Sequence, residues 1–239
     1  MNDDSATESQ GPASQTLSRG IRILEALADA REPLTVDGLA GHLGVHRSIA
    51  YRLVRTLEYH GLVNRDQAGR ASLGPRMAAL AAAVSHDLQT EALPELTAVA
   101  NEFGMTCFLA VQDGTECFTL VSVEPRHAVA SVVQRPGARH PVSVGAPGKA
   151  ILSLLADEDW PPEASPKLRA EVAEAAARGY ATSHDEVIPS VQSVAVPLSI
   201  RGRRPAAVAV VHVGTTHGNA SVGARLQRSA ATIRAALGG

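Results

Sequence analysis

Residues 33–74 read PLTVDGLAGHLGVHRSIAYRLVRTLEYHGLVNRDQAGRASLG: a short apolar-striped segment, a glycine, a second striped segment rich in arginine, and two brief runs around a polar tip. The spacing predicts a helix, a tight turn, a second helix and a β-hairpin, the layout of a winged helix-turn-helix.

The second helix has two faces that can be separated by counting at about 100° per residue. Ile49, Leu53 and Leu57, with Ala50 and Val54 beside them, form one apolar stripe that needs a core. Ser48, Arg52 and Arg55 fall on the opposite side, flanked by Tyr51, with His46 and Arg47 in the first turn. Arginine forks reach guanine edges, and the other groups reach bases or phosphates, so this face suits the DNA major groove.

The preceding helix, Val36 to Leu43, turns Val36, Leu39, Ala40 and Leu43 inward with Thr35 as N-cap, and Gly44 supplies the positive-φ turn. After Gly61, residues 62–65 and 70–73 flank Asp66 to Gly69, a hairpin that would carry Arg65 and Arg70 to the DNA backbone. From His42 to Arg76 there are six arginines (47, 52, 55, 65, 70, 76) against Glu58 and Asp66, a local balance of +4 in a chain of net charge −2. Positive charge is thus concentrated where phosphate contacts need it.

A chain of 239 residues has room for two domains. With aromatics at 3%, their cores must rest on Ala, Val and Leu. No run of 18 apolar residues exists, and residues 1–15, MNDDSATESQGPASQ, are polar and acidic with no signal-type segment after them, so a soluble cytoplasmic protein with a disordered tail is expected. Cys107 and Cys117, each inside an apolar run, read as buried reduced thiols. The nine histidines show no metal-type spacing, and neither metal nor cofactor is expected.

Outward from the opening stretch, Leu17 to Ala30 reads as the first helix, with Leu17, Ile21, Leu24, Leu27 and Ala28 on one stripe. Pro75 begins another, whose residues Met77, Leu80, Val84 and Leu88 need a partner, either the body of the chain or the same helix of a second copy; two-fold DNA readers favour the second copy. Further on, a helix ends near Phe103; strands are expected over Met105–Val111, Glu116–Val123, Ala128–Gln134, Ser193–Ile200 and Ala206–Val213. Helices are expected from Pro147, over 165–178 and over 222–237, with Arg201 to Arg204 as a charged hairpin turn. The pattern is α+β: helices around an antiparallel sheet. The expected divisions are a tail at 1–16, a winged helix-turn-helix at 17–74, a linker helix at 75–89 and a sensing and oligomerising domain at 90–239.

These pieces in this order resemble the IclR-type bacterial transcriptional regulators over nearly the whole chain. The resemblance is carried by SRGIRILEAL, by GLAGHLGVHRSIAYRLVRTLEYHGLV, and by residues 72–76. In the second half it is carried by His140, residues 145–150 (GAPGKA), 178–180 (RGY) and 191–197 (VQSVAVP). It implies a winged-helix domain joined by a linker helix to a GAF-like effector domain. It also implies a dimer or tetramer on a double-stranded DNA operator, controlled by a small organic acid or similar metabolite. The implied effector residues are Gly145, Ala146, Asp185, Gln192 and Ser193. Their chemistry fits a polar end to a pocket, because Pro147 opens a helix whose free N–H groups can hold a carboxylate, Ser193 offers a hydroxyl and Asp185 an acceptor. Lys149, at the third helical position, is expected to face solvent or ligand. Two departures from the family pattern leave the effector open: Ser190 and Ser193 replace a glycine and a cysteine, and the segment 156–166 is short.

Two other classes compete. A second domain that only oligomerises or binds a protein partner would leave a simple DNA-binding protein. An enzyme of GAF type is the remote alternative: Ser183, His184 and Asp185 are adjacent in sequence, whereas a catalytic triad converges from separate positions, so no catalytic residue is assigned.

Overall fold

Capped helices and a short hairpin enclose a small core in the first part of the chain. The computed structural model describes residues 14–82, 86–127, 132–215 and 217–238. It divides into two compact units, Met1–Val84 and Ser85–Gly239. The expected disordered tail falls almost wholly outside the described residues.

In the first unit, helix α1 spans Gln15–Asp29, with the Ser14 side chain accepting a hydrogen bond from the Leu17 N–H. Helix α2, Val36–Leu43, is capped by Thr35 and closed by Gly44 at φ 65°, a left-handed conformation that glycine adopts without a Cβ clash. Helix α3, Arg47–Tyr59, follows, and then strands β1, Val63–Arg65, and β2, Ala71–Leu73, paired antiparallel with Asn64 opposite Ser72. Ile23, Leu27, Leu39, Leu43, Leu53, Val54, Val63 and Ala71 form the core, with Ile49 and Leu57 packed at its margin. Helix α4, Arg76–Ala82, ends this unit.

The stripe expected to run from Met77 to Leu88 is divided. Leu80 is 53% exposed, Val84 lies outside the described residues, and Leu88 belongs to α5, His86–Phe103, where it is buried in the core of the second unit. The linker helix read at 75–89 includes residues 83–85, which also lie outside the described residues.

The second unit is a six-stranded antiparallel sheet in the order β5-β4-β3-β8-β7-β6. Strands β3, Thr106–Asp113, and β4, Glu116–Val123, form a hairpin, and β5, Arg139–Pro141, pairs with β4 at the edge. Strands β6, Ala181–His184, β7, Gln192–Leu198, and β8, Ala206–His212, complete the order. Alternation along β3 divides the core in two: Cys107, Leu109 and Val111 pack with α5 and α8, Asn219–Ala236, while Phe108 and Ala110 pack with α6, Gly145–Leu152, and α7, Pro166–Arg178. Both faces of β3 are therefore buried, which is why its sequence is an almost unbroken apolar run.

Strands β5 and β6 were not expected. The first is a three-residue edge containing a proline, and the second, ATSH, is too short and polar for an alternation signal. Of the strand expected at 128–134, residues 128–131 lie outside the described residues and 132–134 are not in a strand. Both cysteines are free and buried, as their apolar settings suggested. Burial pushes the Cys107 thiol up, and that of Cys117 up to about 12.

Candidate functional site

Helix α3 buries Ala50, Leu53 and Val54 and leaves Ser48, Tyr51, Arg52 and Arg55 exposed. His46 is its N-cap: the His46 Nδ1 accepts a hydrogen bond from the Ser48 N–H at 3.3 Å and lies 2.9 Å from the Ser48 Oγ. Because Nδ1 accepts, the neutral ring carries its proton on Nε2, leaving a donor at the mouth of the helix. Arg47 makes an exposed pair with Asp37 at 2.9 Å, a contact weak enough to exchange for a phosphate. Among the described residues, no ion pair holds Arg52 or Arg55, so their guanidinium groups are available outside the protein.

The two wing arginines are differently placed. Arg65 donates through Nε and Nη2 to Glu58 at 3.0 and 2.6 Å and lies over the Tyr51 ring at 5.7 Å. Its hydrogen bond holds the Glu58 carboxyl below the usual range. Arg70 donates to Asp66 at 2.8 Å across the hairpin tip. Each is tethered by a carboxylate within its own unit, so the two acids already subtracted in the +4 balance both sit at the wing, and the surplus positive charge of this stretch lies outside it.

In the second unit, a cavity of about 430 Å³, counting its open mouth, lies against β3, β7 and β8 and the start of α6. Phe108, Pro147, Val191 and Val211 form apolar walls, and Val187 and Ile188, both partly exposed, form part of the rim. Its polar side chains are Gln134, His140, Ser183 and Ser193.

Of the five expected effector residues, Gly145 and Ser193 line this space. Ala146 is fully buried beside it, and Asp185 and Gln192 flank it without lining it. Asp185 instead accepts the Ser190 N–H in a turn where both residues have positive φ. Gln134, Ser183, Val187 and Glu186 were missed in the sequence. Gln134 is far in the chain from Ser183, Glu186 and Val187, which surround the expected Asp185 in one short polar segment with no periodicity to single them out.

The start of α6 differs from its expected form. Gly145, at φ 82°, donates its N–H to the Glu186 Oε2 at 2.9 Å, so the protein's own carboxylate occupies that donor. Lys149 does not face solvent: it is 3% exposed, with its Nζ 2.5 Å from Glu186 and 2.7 Å from Glu171. Desolvation opposes ionisation of Glu171, yet the hydrogen bond and charge of Lys149 prevail and its carboxyl is held below the usual range. Gly148 is required by packing, since a Cβ there would lie 2.1 Å from the Val142 carbonyl oxygen. Ser183, His184 and Asp185 do not form a triad: the His184 Nε2 lies 3.5 Å from the Asp185 Oδ2, but both side chains are exposed, while Ser183 lines the cavity.

Among the described residues, no cluster of three or more His, Cys, Asp or Glu could hold a metal, and no helix is long and apolar enough to cross a membrane.

Residues 16–67 match the family model of the IclR helix-turn-helix domain, and residues 80–161 that of the bacterial transcriptional regulator IclR C-terminal domain. The chain is 29% identical over 220 residues to the glycerol operon regulatory protein of Streptomyces griseus, covering 84% of each chain. It is 30% identical over 145 residues to an HTH-type transcriptional regulator of Mycobacterium tuberculosis, an alignment spanning 60% of this chain and 56% of that one. Among solved structures, an IclR regulator of Alicyclobacillus acidocaldarius superposes with a TM-score of 0.82 at 25% identity, covering 94% of this chain and 99% of that one. An IclR homologue of Microbacterium hydrocarbonoxydans, complexed with 4-hydroxybenzoate, gives 0.79 at 25% identity, covering 93% and 98%. With both modules matched in order along one α+β chain, this protein belongs to the IclR family of bacterial transcriptional regulators and is not an enzyme.

Proposed function

We propose that this protein works in the cytoplasm as a dimer or tetramer that docks α3 of paired subunits into successive major grooves of a partly palindromic operator. A small-molecule effector in the second unit controls that docking. Arg52 and Arg55 read base edges, with Ser48, Tyr51 and the N-terminal pair His46 and Arg47 on neighbouring bases and phosphates. Arg65 and Arg70 serve the wing, where exchanging Glu58 and Asp66 for phosphate is part of binding. Gly145 and Ser193 border the effector cavity, with Ala146 behind them and Asp185 and Gln192 shaping its flank. Binding there alters the geometry of segment 75–88 and so the spacing of the two readers. The observation that carries this reading is the exposed face of α3, where Arg52 and Arg55 stand without an ion pair among the described residues, in the same chain as an apolar-walled cavity bordered by Gly145 and Ser193.

The test is a gel-shift series on the promoter DNA next to the gene. Arg52→Ala is expected to lose discrimination between operator and random DNA while the protein stays folded; equal binding to both DNAs by variant and parent removes α3 as the reader. Ser183→Phe is expected to abolish any effector response without altering operator affinity in the absence of effector. A response that survives it removes the cavity as the sensor.

A further inference from the structure

Most of the cavity wall is fixed by regular structure: Phe108, Ser193 and Val211 stand on paired strands and Pro147 in α6. Residues 185–191, which join β6 to β7, are held differently. Within this segment Asp185 donates its N–H to the Val191 carbonyl at 3.1 Å, Val191 donates to the Ile188 carbonyl at 3.2 Å, and Ser190 donates to the Asp185 carboxylate. Asp185 and Ser190, at φ 60° and 64°, bracket it with left-handed backbone. A turn closed on its own hydrogen bonds in this way is a compact body between two bends, able to move as one piece. It carries Val187 and Ile188, both partly exposed, at the mouth of the cavity.

Among the described residues, Glu186 makes the segment's only polar contacts beyond itself and the adjoining β6. Its Oε2 accepts the Gly145 N–H at 2.9 Å, and its Oε1 accepts from the Lys149 Nζ at 2.5 Å, both partners belonging to α6. Beside this tie Val187 leans on Gly145, where an added Cβ would stand 3.0 Å from the Val187 Cγ2. The Glu186 side chain is 29% exposed, so water is at hand to receive its carboxylate. Releasing it strands no buried charge, because Lys149 keeps Glu171 at 2.7 Å, and Glu171 has Lys167 as well at 3.7 Å. Release also frees the N–H of Gly145, a residue that lines the cavity. A second carboxylate on one buried lysine therefore gives the turn a detached arrangement in which no ion is left alone, a condition for any movable element built on a buried charge.

We infer that residues 185–190 are a flap at the mouth of the effector cavity and that Glu186 is its latch. Fastened to α6, the flap narrows the mouth; when Glu186 lets go, the mouth widens and ligand enters or leaves. The inference rests on the reading of this cavity as the effector site, and it concerns passage into the site rather than the identity of the effector.

Thiol labelling of the full-length protein tests it, with rates read at each cysteine by mass spectrometry. Ser183→Cys places a reporter thiol on the cavity wall. N-methylmaleimide and the much bulkier N-(1-pyrenyl)maleimide are both neutral and share one chemistry. The ratio of their rates, each relative to free cysteine, therefore reads the width of the mouth rather than the reactivity of the thiol. Cys107, fully buried in the core on the other face of the sheet, reports general loosening. With Glu186 in place the bulky reagent is expected to lag behind the small one. In the Ser183→Cys protein carrying Glu186→Ala, the bulky-to-small ratio is expected to rise about tenfold with Cys107 unlabelled. Glu186→Gln keeps an acceptor for the Gly145 N–H but loses the charge that meets Lys149, and should give a smaller rise in the same direction. Equal relative rates for the two reagents with Glu186 in place overturn the flap, and a ratio unchanged in both folded variants overturns the latch. If Glu186→Ala exposes Cys107 to labelling, the ratio in Glu186→Gln decides alone. An unchanged ratio with an effector response that is lost in Ser183→Phe leaves the cavity as the sensor and removes this inference only. A raised ratio with a response that survives Ser183→Phe leaves the flap and removes the cavity as the sensor.

Discussion

The DNA-reading unit holds its arginines outward on one helix, whereas the sensing unit turns its decisive charges inward and neutralises them. Arg52 and Arg55 stand in solvent on α3; Lys149 is 3% exposed between two glutamates. A surface reader must keep its charge free for a partner that brings phosphate, so its residues can be exchanged with little effect on folding. A cavity must instead hold its walls rigid and its polar groups satisfied, so its residues serve folding and specificity together. The same substitution type should therefore be felt as stability in one unit and as binding in the other.

The sharpest way to break this contrast is at Gly148. A Cβ there would meet backbone, at 2.1 Å from the Val142 oxygen and 2.8 Å from its carbonyl carbon, and backbone cannot swing aside as a side chain can. Gly148→Ala is expected to destabilise the second unit by about 3 kcal/mol or more, at the upper end of overpacking effects. Chemical denaturation followed by near-ultraviolet circular dichroism reads it. A variant as stable as the parent would mean that the turn into α6 is loose and the cavity wall soft.

On the other side of the contrast, Arg52→Ala is expected to leave thermal stability within about 0.5 kcal/mol of the parent, as for exposed sites. It should weaken operator binding by about 1–3 kcal/mol, the range for a base-reading arginine. Fluorescence anisotropy at fixed salt measures it. A large loss of stability instead would show that the outward face of α3 is also a packing face.

How much of each unit can be read in the sequence follows from the same contrast. The faces of α3 recur every three or four residues, so Ala50, Leu53 and Val54 could be separated from Ser48, Arg52 and Arg55 by counting, and Thr35 and Gly44 announced the limits of α2. The cavity has no such period. Phe108 comes from β3, His140 from β5, Ser183 from β6 and Ser193 from β7, and the sheet order that brings them together is a long-range property. Lys149 was misjudged for the same reason: counted from Pro147 it takes the third position of a helix, where a lysine ordinarily reaches solvent, whereas α6 begins at Gly145 and Glu171 and Glu186, from α7 and the turn after β6, draw it inward.

Acid should separate the units further. His212, at the end of β8 opposite Gln192, is 5% exposed, and neither ring nitrogen has a hydrogen-bond partner. Burial lowers its pKa below the ordinary 6.5, so the unfolded chain takes up the proton first as pH falls. Its contribution is therefore fully present above pH 6.5 and is lost as pH drops through that value toward the folded-state pKa, at no more than about 1.4 kcal/mol per pH unit. Denaturation between pH 7.5 and 5 should show His212→Leu losing less stability than the parent. Parallel curves for the two would mean that the ring finds a partner when protonated.

The smallest expected effect lies in α2 and has the opposite sign to the one at Gly148. Gly41 is exposed in α2, its φ is not in the left-handed region, and a Cβ there would meet nothing within 4 Å. Adding a methyl group removes backbone freedom from the unfolded chain while introducing no contact in the folded one. Gly41→Ala is accordingly expected to stabilise the first unit by about 0.5–1 kcal/mol, the helix-propensity difference between the two residues. Thermal melting of the two proteins in the absence of DNA measures that gain. A loss of stability would show that this face of α2 is covered in solution, with the extra methyl group pressing against whatever covers it. The reader unit would then resemble the sensing unit, where small residues are fixed by what packs on them.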